Sequence, residues 1–329
     1  MALFIARYDL RGPGLSGKDR ADQYAVCLEQ AAWCEAHGFD MLVLSEHHGV
    51  EDGYLPVPLQ LATAIAVRTD AISIMISALL VPLHDPIRLA EQIAIVDLLS
   101  KGRVQYTSGL GYRREEYEQA GLDWTTRGAR IEHCLDTLFK AWTGEPFEYE
   151  GRTVQVTPAP YSQPGPLMFY GGGSPAAARR AARFDMPLFA QHGDPTLGEI
   201  YAQTREELGL GPGMYLAPPA EGPGTILVSE DPDRTWNTIG EYLLYEATEY
   251  DAWQQGVTSS VHDESKTVDE MRERGIYAVM TPDECVDYAQ SIGPLDPVTT
   301  HPLCGGMPAE ASWEHLELLG TEVIPRCKS

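Results

Sequence analysis

What most constrains this chain is an alternation of short apolar segments with longer amphipathic ones, repeated from end to end. Residues 2–8, 41–45, 72–81, 103–108, 167–170, 187–190, 225–229 and 297–302 read as strands. Between them, residues 19–37, 56–67, a stretch opening at Pro86, another opening at Thr125-Thr126, and residues 195–208, 232–250 and 308–323 read as helices. The run 72–81 is almost continuously apolar, as expected of a strand covered on both faces in a parallel sheet. The helix that follows it has the clearest start. Asp85 is placed to cap it, and Pro86 takes the first position, where a missing N–H costs nothing. Leu89, Ile93, Val96 and Leu99 then form its apolar stripe.

Seven or eight such repeats, with no linker or low-complexity tract, predict a single α/β domain over residues 1–329. The predicted architecture is a (β/α)8 TIM barrel. A doubly wound dinucleotide fold needs G-x-G-x-x-G directly after its first strand, and Gly12-Pro13-Gly14 lacks that context. Residues 147–156 alternate around Glu150-Gly151 and read as an inserted β-hairpin. Residues 251–273 are polar and aperiodic, which predicts a long mobile loop, a lid at the carboxyl face.

Charge narrows the choice of partners. Twenty-four Lys and Arg against 48 Asp and Glu leave a net charge of −24, which argues against nucleic acid and anionic membranes. The apolar run 71–83 is interrupted by Ser73 and Ser77 and falls short of the ~20 residues of a membrane helix. The first residues lack the basic start of a signal peptide, so a soluble, cytoplasmic protein is expected. Cys27, Cys34, Cys134, Cys285, Cys304 and Cys327 show no C-x-x-C spacing. They read as small buried hydrophobes, with no structural metal expected.

In a barrel, reactive groups stand at the carboxyl ends of strands. Four ends carry unusual residues. Ser45-Glu46-His47-His48-Gly49 offers two imidazoles suited to acid–base work or hydrogen bonding, with a capping cluster as the plainer alternative. Adjacent residues point in different directions, so one metal shared by both histidines is not expected. Ile76-Ser77-Ala78-Leu79 is by composition an ordinary core strand with small residues. Ser108-Gly109-Leu110-Gly111-Tyr112 is either a plain turn or a place where backbone approaches a ligand closely. Tyr170-Gly171-Gly172-Gly173-Ser174-Pro175 is the strongest anion-site signal. Ser174 fits an N-cap and Pro175 the first helical position, so backbone N–H groups and the helix dipole would face an anion. Neutral donors of this kind hold a phosphate with few lysines, which reconciles an anionic ligand with the charge of −24.

With Glu46-His47-His48, the block Pro82 to Glu91, Leu99-Ser100-Lys101-Gly102-Arg103 and Gly171-Gly172-Gly173-Ser174 in register, the chain resembles the bacterial luciferase-like monooxygenases. The resemblance runs from the first strand to about residue 190 and resumes more loosely over 303–325. It implies a (β/α)8 barrel that binds reduced FMN (FMNH2), or in related branches the deazaflavin coenzyme F-420. It also implies a cis peptide bond at Ser77-Ala78 behind the flavin ring. Gly172, Gly173 and Ser174 would hold the flavin phosphate through backbone N–H groups, with Arg130 as its cation. His47 would be the hydrogen-bond donor or acid near the flavin, oriented by His48 and Glu46. Gly109 stands where bacterial luciferase carries a reactive cysteine, and Leu110 where it carries a phosphate-binding arginine. These departures argue against light emission on long-chain aldehydes.

The function this implies is a two-component monooxygenase acting with FMNH2 and O2 on a small organic substrate. The flavin would come from a separate reductase, since no second nucleotide fingerprint is present. The alternatives are deazaflavin-dependent hydride transfer on the same fold, and a flavin-binding protein without catalysis. The family implies a homodimer. Tyr8, Tyr112, Trp124 and His301 are candidate pocket-lining residues.

Overall fold

Short apolar segments of two to seven residues, most followed by a helix, pair side by side as parallel strands in the computed structural model of this protein. The structure describes residues 1–219, 222–254, 259 and 262–328. Two units emerge, each built from noncontiguous stretches. The first comprises Met1–Val43, Val50–Leu55 and Pro218–Ser329; the second comprises Leu44–Gly49 and Pro56–Ala217.

In the first unit, Leu3–Tyr8 pairs in parallel with Pro297–Thr300, from Leu3 opposite Pro297 to Ala6 opposite Thr300. Thr225–Val228 pairs in parallel with Tyr277–Met280. Leu227, Trp236, Ile239, Leu243, Met271 and Tyr277 close an apolar core beneath that pair. The Gly17–Ala36 helix starts in a capping box, with the Ser16 side chain on the Asp19 N–H and the Asp19 side chain on the Ser16 N–H.

In the second unit, Ser73–Leu79, Val104–Ser108, Met168–Gly172, Leu188–Ala190 and Tyr215–Leu216 form consecutive parallel strands. The connecting helices include Pro58–Ala66, Pro86–Ser100, Arg127–Trp142 and Pro175–Arg183. Asp85 caps the Pro86–Ser100 helix by accepting from the Arg88 N–H at 2.9 Å. Phe147–Tyr149 and Arg152–Val154 pair as an antiparallel hairpin. Its turn places Glu150 and Gly151 at φ 49° and 76°, the left-handed pair that a two-residue hairpin loop requires.

Three expectations change. The strand expected to reach residue 81 ends at Leu79, and Val81–Leu83 forms a 3-10 turn. Pro82 has no N–H with which to continue a ladder. Tyr277–Met280 and the Pro282–Ser291 helix were not anticipated, although Thr281 and Glu284 form a capping box at that helix start. The polar stretch 251–273 holds helix at both ends, in Pro232–Trp253 and Val268–Arg274. Within it, residues 255–258, 260 and 261 lie outside the described residues. Among the described residues, no helix is long and apolar enough to cross a membrane.

Candidate active site

Two buried carboxylates organise the strand ends of the second unit. Glu46 Oε1 accepts from His48 Nε2 and from His84 Nε2, each at 3.0 Å, and its Oε2 accepts the Leu80 N–H at 2.5 Å. Burial alone would raise the Glu46 pKa. The hydrogen bonds from His48 and His84, the charge of His84 and the Leu80 N–H outweigh it and bring Glu46 down to about 2. The reciprocal effect appears on His48, where burial lowers the pKa but the hydrogen bond and charge of Glu46 raise it above its usual value.

Glu116, on the short Arg114–Gln119 helix, is the second carboxylate. Its Oε1 faces His47 Nδ1 at 2.8 Å and accepts the backbone N–H of His48 at 2.9 Å. Its Oε2 is buried with no hydrogen-bond partner among the described residues. On the other side of the ring, His47 Nε2 stands 3.0 Å from Tyr112 Oη, the two rings meeting edge-on at 5.3 Å. The Gly109-Leu110-Gly111 segment makes this possible. Gly111 sits at φ 79°, which glycine adopts at little cost, and the chain turns there to bring Tyr112 onto His47. Arg113 Nη1 donates to the His48 carbonyl at 3.0 Å and lies 3.5 Å from Glu116 Oε1, so it closes the same cluster.

The next strand ends adjoin one another through close backbone packing. The Ser77–Ala78 peptide bond is cis. Gly109 donates its N–H to the Leu79 carbonyl at 2.8 Å, and a Cβ at Gly109 would sit 2.6 Å from the Ala78 Cβ. Thr107 pairs with Ser77 on one side and Phe169 on the other, and its buried Oγ1 has no hydrogen-bond partner. A Cβ at Gly171 would meet Thr107 Cγ2 at 2.6 Å, one at Gly172 the Ala177 Cβ at 2.7 Å, and one at Gly173 the His192 ring at 2.9 Å. Protein atoms thus crowd the Cβ position of all three glycines in the run whose N–H groups are expected to face an anion. Ser174 caps the Pro175–Arg183 helix through the Ala177 N–H. No acceptor among the described residues takes the N–H groups of Ser174 and Ala176.

The structure therefore joins Glu46 with His48, and Ser77-Ala78 with Gly109. Gly172, Gly173 and Ser174 lead into a helix N-terminus. Around the His47 ring the structure places Glu116 and Tyr112. Arg130 lies on the Arg127–Trp142 helix. Its Nε and Nη2 donate to the carbonyls of Pro82 and His84 at 2.5 and 3.1 Å, and no hydrogen bond among the described residues ties it to the glycine run. Glu116 and His84 were missed as site residues. The signal for Glu116 was a carboxylate four positions after a tyrosine at a Gly-x-Gly strand end.

The family model described as luciferase-like monooxygenase matches residues 6–297. A protein designated y4vJ from Sinorhizobium fredii is 31% identical over 167 residues, which cover 49% of this chain and 48% of that protein. The matched stretch spans about half the length of the curated relatives. Among solved structures, the oxygenating constituent of 3,6-diketocamphane monooxygenase from Pseudomonas putida, in complex with FMN, superposes with a TM-score of 0.73. It is 19% identical, with 99% of each chain covered. An F420-dependent secondary alcohol dehydrogenase superposes at 0.70 with 14% identity, covering 100% of this chain and 99% of the other.

Proposed function

The chain belongs to the luciferase-like monooxygenase family, and from that premise we propose that it is a flavin-dependent oxidoreductase. In this reading residues 1–329 form one (β/α)8 barrel domain, and the protein is the oxygenating half of a two-component system. It would use FMNH2 from a separate reductase, with O2, on a small organic substrate. The observation that carries the reading is the His47 imidazole held between Glu116 and Tyr112 at the strand ends.

The residues fit a flavin. The uncommitted N–H groups of Ser174 and Ala176 at a helix N-terminus suit a phosphate. The partnerless Thr107 Oγ1 supplies a buried polar atom beside Ser77. Ser77, Ala78 and Gly109 would back the ring, and Gly172, Gly173 and Ser174 would hold the phosphate. Bound there, reduced FMN supplies the electrons and the atom at which O2 is activated.

The protein's own part is proton management. With the Glu116 carboxylate accepting, Nδ1 of His47 carries the hydrogen and Nε2 is left to accept from Tyr112 Oη. A proton taken up by Tyr112 Oη from a reacting group is then matched by passage of the Tyr112 proton to His47 Nε2, and Glu116 stabilises the positive charge that forms on the imidazole. Glu46, held ionised by two imidazoles and a backbone N–H, would fix the His48 and His84 end of the site rather than exchange protons near neutral pH.

Anaerobic absorbance titration tests the cofactor. Saturable binding of FMN, and O2 consumption that depends on FMNH2 and rises with an organic substrate, support the reading. Tight binding of F-420 with none of FMN would replace it with deazaflavin hydride transfer. Flavin binding without turnover on any substrate would leave a carrier protein.

A further inference from the structure

In the first unit, Glu246 meets His301 and Cys304, more than fifty positions further on, inside the protein, and all three are buried. Glu246 comes from the Pro232–Trp253 helix. His301 and Cys304 come from one tight turn after Pro297–Thr300, closed by the Cys304 N–H on the His301 carbonyl at 3.2 Å. We propose that these three side chains form a binding site for one divalent transition-metal ion of the zinc type.

The donor set is right for such an ion. It comprises a thiol, an imidazole nitrogen and a carboxylate oxygen, with the three ligand atoms within 4.8 Å of one another. Bond lengths of roughly 2.0–2.3 Å at a tetrahedral ion place its ligand atoms roughly 3.3–3.6 Å apart. Glu246 Oε2 and His301 Nδ1 already stand 3.2 Å apart. Cys304 Sγ, 2.6 Å from that Oε2, has to swing out by about 1 Å, which is a side-chain rotation.

Each ligand also has the outer support that metal ligands need. The far nitrogen of His301, Nε2, is buried without a hydrogen-bond partner among the described residues and lies 3.4 Å from Asp9 Oδ1, so a small turn of the ring would complete the carboxylate–histidine arrangement that fixes a ligating ring. The other oxygen of Glu246 is paired with Arg7, and Tyr277 Oη lies 3.2 Å from Oε2. Cys304 packs in the apolar core with Leu227, Trp236 and Leu243, where an unmatched carboxylate would be costly.

The charges balance with the ion. Arg7 and Arg11 pair with Asp9, Asp52 and Glu246, two cations against three anions. That leaves the cluster one positive charge short, a deficit that a bound cation would offset. A divalent ion bound to the Cys304 thiolate brings two positive charges and displaces the thiol proton, so M2+ enters, H+ leaves, and the cluster gains the one positive charge it lacked.

The test uses the whole chain, purified without a polyhistidine tag or chelator from zinc-supplemented cells. Elemental analysis is expected to find about one zinc per chain after dialysis. Cobalt added to the stripped protein should give a thiolate-to-cobalt charge-transfer band and release at least one proton per ion, the one lost from the thiol. Cys304→Ser should abolish the band. If that variant does not fold, the wild-type band and proton count decide alone. Wild-type protein that retains less than about 0.1 metal per chain and shows no cobalt band would overturn the proposal. So would cobalt bound without the band, which would place the ion elsewhere, for instance at Asp251, His262 and Glu264.

Discussion

His47 Nδ1 lies 2.8 Å from Glu116 Oε1, and that same oxygen takes the backbone N–H of His48 at 2.9 Å. One carboxylate atom therefore sets both the orientation of the imidazole and the path of the chain that presents it. His47 is held by a carboxylate that follows the Val104–Ser108 strand, 69 positions away in sequence.

Glu116→Gln tests this arrangement. A glutamine keeps the shape but no longer balances a charged imidazole, and one of its two faces is a donor. Turnover with FMNH2 is expected to fall by about 10- to 100-fold, with flavin affinity within about twofold of wild type. His47→Asn is expected to cost about 10²- to 10⁴-fold, the range for a positioned acid or base. A Glu116→Gln protein with wild-type turnover and an unchanged pH–rate profile would remove Glu116 from the positioning role.

What was legible in the chain was whatever local chemistry announces. Asp85-Pro86 and Ser174-Pro175 mark helix starts because a cap and a fixed φ act within four residues. Glu150-Gly151 marks its hairpin for the same reason. The partners of His47 were not legible, because Glu116 meets it only after strands pair and the Gly111 turn closes. Arg130 shows how local chemistry hides tertiary partners. A lone basic residue invites a phosphate, and only the fold shows that Nε and Nη2 are engaged by the carbonyls of Pro82 and His84. Tyr277–Met280 was not anticipated, although it is as long as the 187–190 run read as a strand; only pairing with Thr225–Val228 distinguishes it from the polar stretch before it.

Glu46 makes stability depend on pH in a defined direction. Its folded pKa of about 2 lies below the usual 4.5, so its contribution is fully present above pH 4.5 and is lost as pH falls toward 2. The depression corresponds to roughly 3 kcal/mol, an upper figure for a carboxylate paired with two imidazoles. The pKa of His48 is raised above 6.5, so its contribution is full below 6.5 and is lost as pH rises through the folded value. Denaturant unfolding of wild type and Glu46→Gln should differ most between about pH 4.5 and 6.5. The gap should narrow on both sides, and a gap that widens toward pH 3 would contradict the pairing.

Gly109→Ala should destabilise the protein by about 1–3 kcal/mol through overpacking. The new Cβ would stand 2.6 Å from the Ala78 Cβ and 3.3 Å from Leu80 Cδ2. Because the Gly109 N–H is tied to the Leu79 carbonyl, the backbone cannot slide away without losing that bond. Adding Ala78→Gly removes the opposing methyl, so the double variant should regain most of the loss in urea unfolding. Additive losses would show that the clash is not between these two methyls.

Ser174 and Arg130 separate the two ways of holding a phosphate. Ser174→Ala removes the cap on the Pro175–Arg183 helix, a loss of about 1 kcal/mol, and loosens the N–H groups assigned to the phosphate. FMN affinity should fall about fivefold while riboflavin affinity, which has no phosphate to lose, stays unchanged. Arg130→Ala frees the carbonyls of Pro82 and His84, so its first effect should be a lower thermal midpoint with the FMN-to-riboflavin ratio preserved. Calorimetric titration of both flavins against both variants reads the two ratios directly. A ratio that collapses in Arg130→Ala and survives in Ser174→Ala would return the phosphate to the arginine and take it from the helix end.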